Sequence, residues 1–282
     1  MSEIEQRRLW RWRAGSLERV DDELAREEPL EIRVDGRPVS VTMRTPGHDD
    51  ELAAGFLLSE GIVDSAATIE AIVPLDGRSE CNVIDVRLAP GVAVDFERLT
   101  RHVFASSSCG LCGKATIEAL RRQFAPIETR LAISPELAQR LPERLRRAQE
   151  TFSRTGGLHA AAVFDAEGEL LVLREDVGRH NAVDKVLGRG LISGWMPFDR
   201  HILLVSGRAS FEIVQKALAG RVPIVAAISA PSSLAIELAE ENGQTLIGFL
   251  RDDTMNIYAG AQRLVGDDDN GHQTNKKQEK PF

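Results

Sequence analysis

Two cysteines in Cys109-Gly110-Leu111-Cys112-Gly113-Lys114 are the residues of this chain best suited to covalent chemistry, and that chemistry is sulfur transfer or thiol exchange. Ser106-Ser107-Ser108 before the pair and Ala115 to Leu120 after it read as a loop opening into a helix, which sets Cys109 at or just before a helix N-terminus. Unpaired backbone N–H groups at such an end, with Lys114 close by, favour the thiolate. A thiolate can accept sulfane sulfur from a donor persulfide. A second thiol three residues on can assist, or release that sulfur as a disulfide forms. Gly110 and Gly113 keep the surroundings free of bulk, so a large partner could approach. Spacing alone does not rank Cys109 against Cys112.

The rest of the chain must position these thiols and whatever receives the sulfur. Its 282 residues, 43% of them hydrophobic, suffice for one large domain or two ordinary ones. Three cysteines, Cys81 standing apart from the pair, do not make a disulfide framework and fit a reducing cytoplasmic setting. Residues 1–13 lack an apolar h-region, and no run approaches a membrane span, so a soluble protein is expected. A net charge of −8 argues against general nucleic-acid affinity.

The expected fold is α/β, with a smaller α+β N-terminal domain and a three-layer C-terminal one. After an N-terminal extension (1–28), the first domain (29–105) has strands over 30–34 and 39–43 around the Asp35-Gly36 turn, a helix over 48–61, and strands over 68–73 and 82–88. The cysteine loop and its helix fill 106–133. In the second domain (134–266), a charged helix over 134–149 spaces Leu137, Leu141 and Leu145 by four, as if joining the halves or packing across them. A hairpin over 158–174, a helix over 179–187, and alternating strands and helices ending in a strand over 245–250 follow. Residues 267–282 read as a disordered tail.

Two turns of this second domain suit a ligand. Val205 runs into Ser206-Gly207-Arg208-Ala209-Ser210, and Ile228 runs into Ser229-Ala230-Pro231-Ser232-Ser233, each at a carboxyl strand end before a helix. Such ends form ligand crevices in α/β sheets, and Arg208 could neutralise a phosphate. The plainer alternative is that the serines only cap helices. In Arg174-Glu175-Asp176 and Gly178-Arg179-His180-Asn181, hydrogen-bonding groups crowd a strand end and a helix start, so His180 and Asn181 are candidates for polar recognition, against the alternative of a solvated helix with ordinary ion pairs.

Taken together, RTPGHDDELAAGFLLSEGI (44–62), CGLCGK (109–114), REDVGRHNAVDKVLG (174–188), SGRASFEIVQKAL (206–218) and SAPSSLAIELA (229–239) resemble the FdhD family of formate dehydrogenase accessory sulfurtransferases, over about residues 30–265. The resemblance implies a sulfur carrier. It would take sulfur from a cysteine desulfurase, as a persulfide on the first cysteine, Cys109, and pass it to the molybdenum bis(molybdopterin guanine dinucleotide) cofactor used by formate dehydrogenase. It also implies a homodimer, and cofactor contacts from Phe249, Leu250, Arg251, Asp252, Asp253 and Thr254, with Arg251 the phosphate or guanine partner. The family is similar in fold to cytidine deaminases, whose zinc motif would fall on Arg179 to Ala182 and Ser206 to Ser210. Serines stand there for cysteines and the glutamate is missing, so catalytic zinc is not expected.

Three rival readings of the cysteines are a structural zinc site with Cys81 and a histidine, a thioredoxin-like thiol-disulfide oxidoreductase, and a chaperone that binds the cofactor without carrying sulfur. His48, His159 and Cys81 are expected to be structural or passive.

Overall fold

A computed structural model describes residues 2–75, 82–96, 124–251 and 253–265. All three cysteines, Lys114, Asp252 and the 267–282 segment lie outside the described residues. No described helix is long and apolar enough to cross a membrane.

The described elements build three sheets. Strands β1 (Ile4–Arg13) and β2 (Ser16–Ala25) form an antiparallel ribbon that joins no other sheet. It turns at Ala14-Gly15, both at positive φ, and presents Trp10 and Trp12 to solvent with Arg19 stacked 4.9 Å from the Trp10 ring centroid. Residues 4–25, within the expected N-terminal extension, are therefore a built arm.

The second sheet has the order β4-β3-β6-β5, from β3 (Glu28–Val34), β4 (Arg37–Arg44), β5 (Ile69–Pro74) and β6 (Val83–Leu88). Period-2 alternation sends Leu30, Ile32 and Val34 inward, where helix α1 (Asp49–Ser59) covers them.

The third sheet is six-stranded, β12-β11-β10-β9-β7-β8. Its strands are β7 (His159–Phe164), β8 (Leu170–Asp176), β9 (Ile202–Val205), β10 (Ile224–Ala227), β11 (Thr245–Arg251) and β12 (Thr254–Ala259). Strands β9, β10 and β11 are parallel, and β7 and β12 run against them. One face packs on α4 (Arg179–Ile192), α5 (Phe211–Ala219) and α6 (Ser233–Glu241), and this core continues through α1 into the second sheet. The other face, with Ala160, Ala162, Phe164, Ile202 and Leu204, packs on α2 (Pro135–Ala148). Helix layers on both faces of this sheet match the expected three layers. Ser134 caps α2 by accepting the Leu137 N–H at 3.2 Å, and short α3 (Glu150–Thr155) follows.

Two expectations are corrected here. Helix α2 does not bridge the halves: Leu141 and Leu145 are buried in a core cluster made wholly from residues after 130. Strand β11 is not the last, because β12 returns along it as an edge strand.

The halves meet where α1 crosses α4. A Cβ on Gly55 would stand 1.8 Å from Asp184 O, and one on Gly188 would stand 1.8 Å from Glu51 O. Only glycine lets the two backbones come this close.

Candidate functional site

The carboxyl ends of β8, β9, β10 and β11 and the start of β7 gather at one pole of the six-stranded sheet, where parallel topology concentrates unpaired backbone groups and helix N-termini. Ser206, Gly207, Arg208, Ser229, His180 and, of the segment the resemblance singles out, Phe249, Leu250, Arg251, Asp253 and Thr254 come to this pole. The serines of the two turns divide their work. Ser206 Oγ accepts the Ala160 N–H at 2.9 Å and stitches β9 to β7, while α6 is capped by Ser232, which accepts the Ala235 N–H at 3.3 Å. Ser229 offers its carbonyl to the Phe249 N–H at 3.1 Å. Capping thus accounts for neither Ser206 nor Ser229. The turns are tied together by Ser232 N–H to Ala209 O at 3.0 Å, and Arg208 is exposed beside them.

The end of β11 is bent by a bulge. Ile247 and Leu250 both belong to the core under α2, three residues apart where strict alternation would put them two or four apart, so one residue has been inserted between them. Phe249 adopts φ 51, a left-handed value rarely tolerated by an aromatic side chain. Gly248 lets the neighbouring turn close in, since a Cβ there would meet Pro231 Cδ at 2.7 Å. The outcome is a half-buried Phe249 ring with the exposed Arg251 guanidinium 5.7 Å from its centroid. Leu250 is fully buried and holds the strand down, so only its backbone faces the pole. Asp253 and Thr254 are exposed; the Asp253 carbonyl is held by Gln139 Nε2 of α2 at 3.1 Å. Asp252 lies outside the described residues.

Beside the two turns, a cleft of about 480 Å³ opens between the strand ends and the α2–α3 corner. Ser206, His159 and Ile228 contribute from the sheet, and Leu145, Arg146 and Phe152 from the helices. Sequence reasoning missed this wall, because Arg146 sits in the charged face of α2 and nothing local marks Phe152 as its neighbour. The only signal was Gly156-Gly157, which breaks the chain before β7.

His180 and Asn181 separate in role. Asn181 is buried and fully engaged: its Nδ2 donates to Met43 O at 2.7 Å and to Asp176 Oδ1 at 3.0 Å, and its Oδ1 accepts from Thr42. It is a tie between the halves, and it also lines the pocket that His180 borders. His180 Nε2 lies 3.3 Å from Ser210 Oγ, near the N-terminus of α5, and the ring borders a second pocket with Thr42, Asp184 and Lys216. Burial, then Arg179 and Lys216, push its pKa down against the pull of Glu212 and Asp184, so the ring is neutral at pH 7.

The Arg174-Glu175-Asp176 run is likewise an architectural knot. Arg174 forks onto Glu51 of α1 at 2.5 and 2.7 Å, and Glu175 accepts the N–H groups of Thr151 and Phe152 at the start of α3, both at 2.9 Å. Asp176 binds Lys185 Nζ at 2.7 Å and the Thr45 N–H at 3.1 Å. The fully buried Arg44 guanidinium grips Asp49 with two bonds, at 2.8 and 2.9 Å. Together these fix the Thr45–His48 turn, in which His48 is held at φ 58.

No cluster of metal-ligating side chains occurs among the described residues. The donor set at the pole, with a stacked arginine and aromatic, hydroxyls and an exposed second arginine, suits an anionic heteroaromatic molecule. The chain downstream of the cysteines re-enters at the opposite pole: Arg221 donates to Ala125 O and Pro126 O, and the Ile127 N–H to Asn242 O at 2.8 Å, beside the amino ends of β10 and β11.

The described residues thus form a mixed α/β scaffold whose carboxyl pole gathers strand-end turns, on a chain whose sequence also carries a paired-cysteine segment. The chain belongs to the FdhD/NarQ family, whose model matches residues 25–265. It is 54% identical over 269 residues to a protein of Streptomyces avermitilis named sulfur carrier protein FdhD, covering 93% of this chain and 95% of that one. A protein of the same name from Mycolicibacterium paratuberculosis is 49% identical over 271 residues, covering 94% and 100%. A crystal structure from Desulfotalea psychrophila, described as a formate dehydrogenase accessory protein, superposes with a TM-score of 0.75 at 25% identity, over 94% of this chain and 100% of that one.

Proposed function

We propose that this protein is a cytoplasmic sulfur carrier that takes persulfide sulfur from a cysteine desulfurase and delivers it to molybdenum bis(molybdopterin guanine dinucleotide), the form used by formate dehydrogenase. The observation that carries the substrate half of this reading is the bulge at Phe249, which spends backbone strain to present an aromatic ring and Arg251 beside the Ser229 turn. Arg251 and Arg208 would bind its phosphates, and Phe249 a flat ring. The molybdenum–pterin substrate itself supplies the site that accepts sulfur.

The sulfur half rests on the cysteine pair. The Cys109 thiolate attacks the terminal sulfur of the donor persulfide, the donor S–S bond breaks, and the donor cysteine leaves as its thiolate. The Cys112 thiolate then attacks Cys109 Sγ, releasing the outer sulfur as hydrosulfide toward the substrate and leaving a Cys109–Cys112 disulfide. An external thiol reductant restores the dithiol. A homodimer follows from the family resemblance. The meeting of α4 and α5 N-termini at His180 and Ser210 supports a cytidine-deaminase-like ancestry with the zinc ligands replaced.

The test is incubation with a desulfurase and cysteine, followed by mass spectrometry of the cysteine-pair peptide. A gain of one sulfur, absent in Cys109→Ala, supports the carrier; bound zinc or a bare dithiol–disulfide change supports a rival. Full activation of formate dehydrogenase by the Cys109→Ala/Cys112→Ala double variant would sink the proposal.

A further inference from the structure

The cleft under α2 and α3 has the build of a binding site for something flat. Its walls are largely apolar, from Leu145, Phe152 and Ile228, and its volume of about 480 Å³ is that of a small-ligand pocket. One wall is a ready-made stack, since the Arg146 guanidinium lies 4.6 Å from the Phe152 ring centroid. Guanidinium and aromatic planes are the two protein surfaces on which heteroaromatic rings stack best. The floor has few polar groups. Ser206 Oγ already accepts the Ala160 N–H, so its own hydroxyl proton is directed elsewhere, and His159 reaches the same floor from the start of β7. Burial and the neighbouring Arg179 lower the His159 pKa against Asp176, so the imidazole is neutral and keeps one acceptor nitrogen.

We propose that this cleft seats one fused bicyclic heterocycle, a purine or a pterin, against the Phe152–Arg146 stack with its polar edge on Ser206 and His159. The proposal rests on the cofactor reading above and gives it a second subsite, distinct from the Phe249–Arg251 platform on the β11 side of the turns. A molecule carrying both ring systems, with phosphates between them, has a matching pair of ends.

Calorimetric titration of the full chain with GDP, and separately with 6-hydroxymethylpterin, tests it. Whichever probe occupies the cleft identifies the ring. That probe is expected to lose about tenfold or more in affinity in Phe152→Ala, which removes a stacking face, and equally in Ile228→Trp, which fills the cleft and leaves the Phe152–Arg146 stack in place. Melting curves check that both variants fold. Arg251→Ala should weaken GDP through its phosphates and leave the pterin probe unchanged. If Phe152→Ala and Ile228→Trp both bind like wild type while Arg251→Ala loses GDP, the cleft assignment is overturned and the cofactor reading stands. If wild type binds neither probe, both are overturned.

Discussion

Lys185 Nζ stands 2.7 Å from Asp176 Oδ2 with both side chains almost wholly buried, and the same ammonium donates to Thr45 O at 2.8 Å. This pair locks the turn entering α1 to the first helix after β8, and so fixes the N-terminal half against the carboxyl pole. Removing one partner strands the other charge in a dry interior. Lys185→Ala is expected to cost about 3–5 kcal/mol, read as a shift in urea midpoint, whereas a combined Asp176→Asn/Lys185→Met variant should lose clearly less. Equal loss in both would show that the pair is not an isolated buried charge couple.

Gly55→Ala and Gly188→Ala both drive a methyl into the opposing helix backbone. Each should destabilise by about 3 kcal/mol or more, at the upper end of overpacking costs, because the obstructing atoms are backbone and cannot swing aside. Gly36→Ala, at a turn with open space around it, serves as the control for positive-φ strain alone. If calorimetric melting points of the two helix variants match that control, the close crossing of α1 and α4 is refuted.

Phe249 provides a test of strain. At φ 51 a glycine is at ease and an alanine is not, so Phe249→Gly should be more stable than Phe249→Ala by about 1 kcal/mol. Both should lose the stacking platform, with GDP affinity falling in each. A stability order of alanine above glycine would deny the left-handed bulge.

Acid should weaken the fold in a defined window. His48, His159, His180 and His201 all have pKa values lowered chiefly by burial, below the ordinary value of about 6.5. A depressed folded value means that the unfolded chain takes up protons first, so the stabilisation is complete above about pH 6.5 and is lost as pH falls through the folded values. Glu175 is shifted upward, mainly by burial, and works in the opposite sense in the carboxylate range. Urea midpoints measured from pH 8 to 5 should therefore fall, with a shallower slope in His180→Asn. An unchanged slope in that variant would remove His180 from the account.

Much of this architecture is legible in the residues. Asp35-Gly36 between two alternating runs marks the β3–β4 hairpin, and the rhythm from Ile202 to Leu250 marks the parallel strands, because buried parallel strands must be apolar on both faces. What escaped has physical causes. Strand β12 is an edge with Asn256 and Ile257 exposed, so it lacks the alternation of a half-buried strand. The bulge at Phe249 breaks period 2 by one residue and turns Leu250 into the core, which the simple strand reading of 245–250 did not show. The tie made by Asn181 escaped because a polar residue joining distant segments looks the same in sequence as one awaiting a ligand. The β1–β2 ribbon was hidden by charge: Arg8 with Asp21 and Arg11 with Asp22 pair across the strands where hydrophobic pairs are usual.

The anchoring of Ala125–Ile127 at the amino ends of β10 and β11 bears on logistics. Arg221 and Asn242 hold that stretch at the pole opposite Ser206 and Ser229. On the proposed function, a sulfur donor approaching at that end would not compete with a substrate berthed at the carboxyl pole, so the two visitors need not queue for the same door.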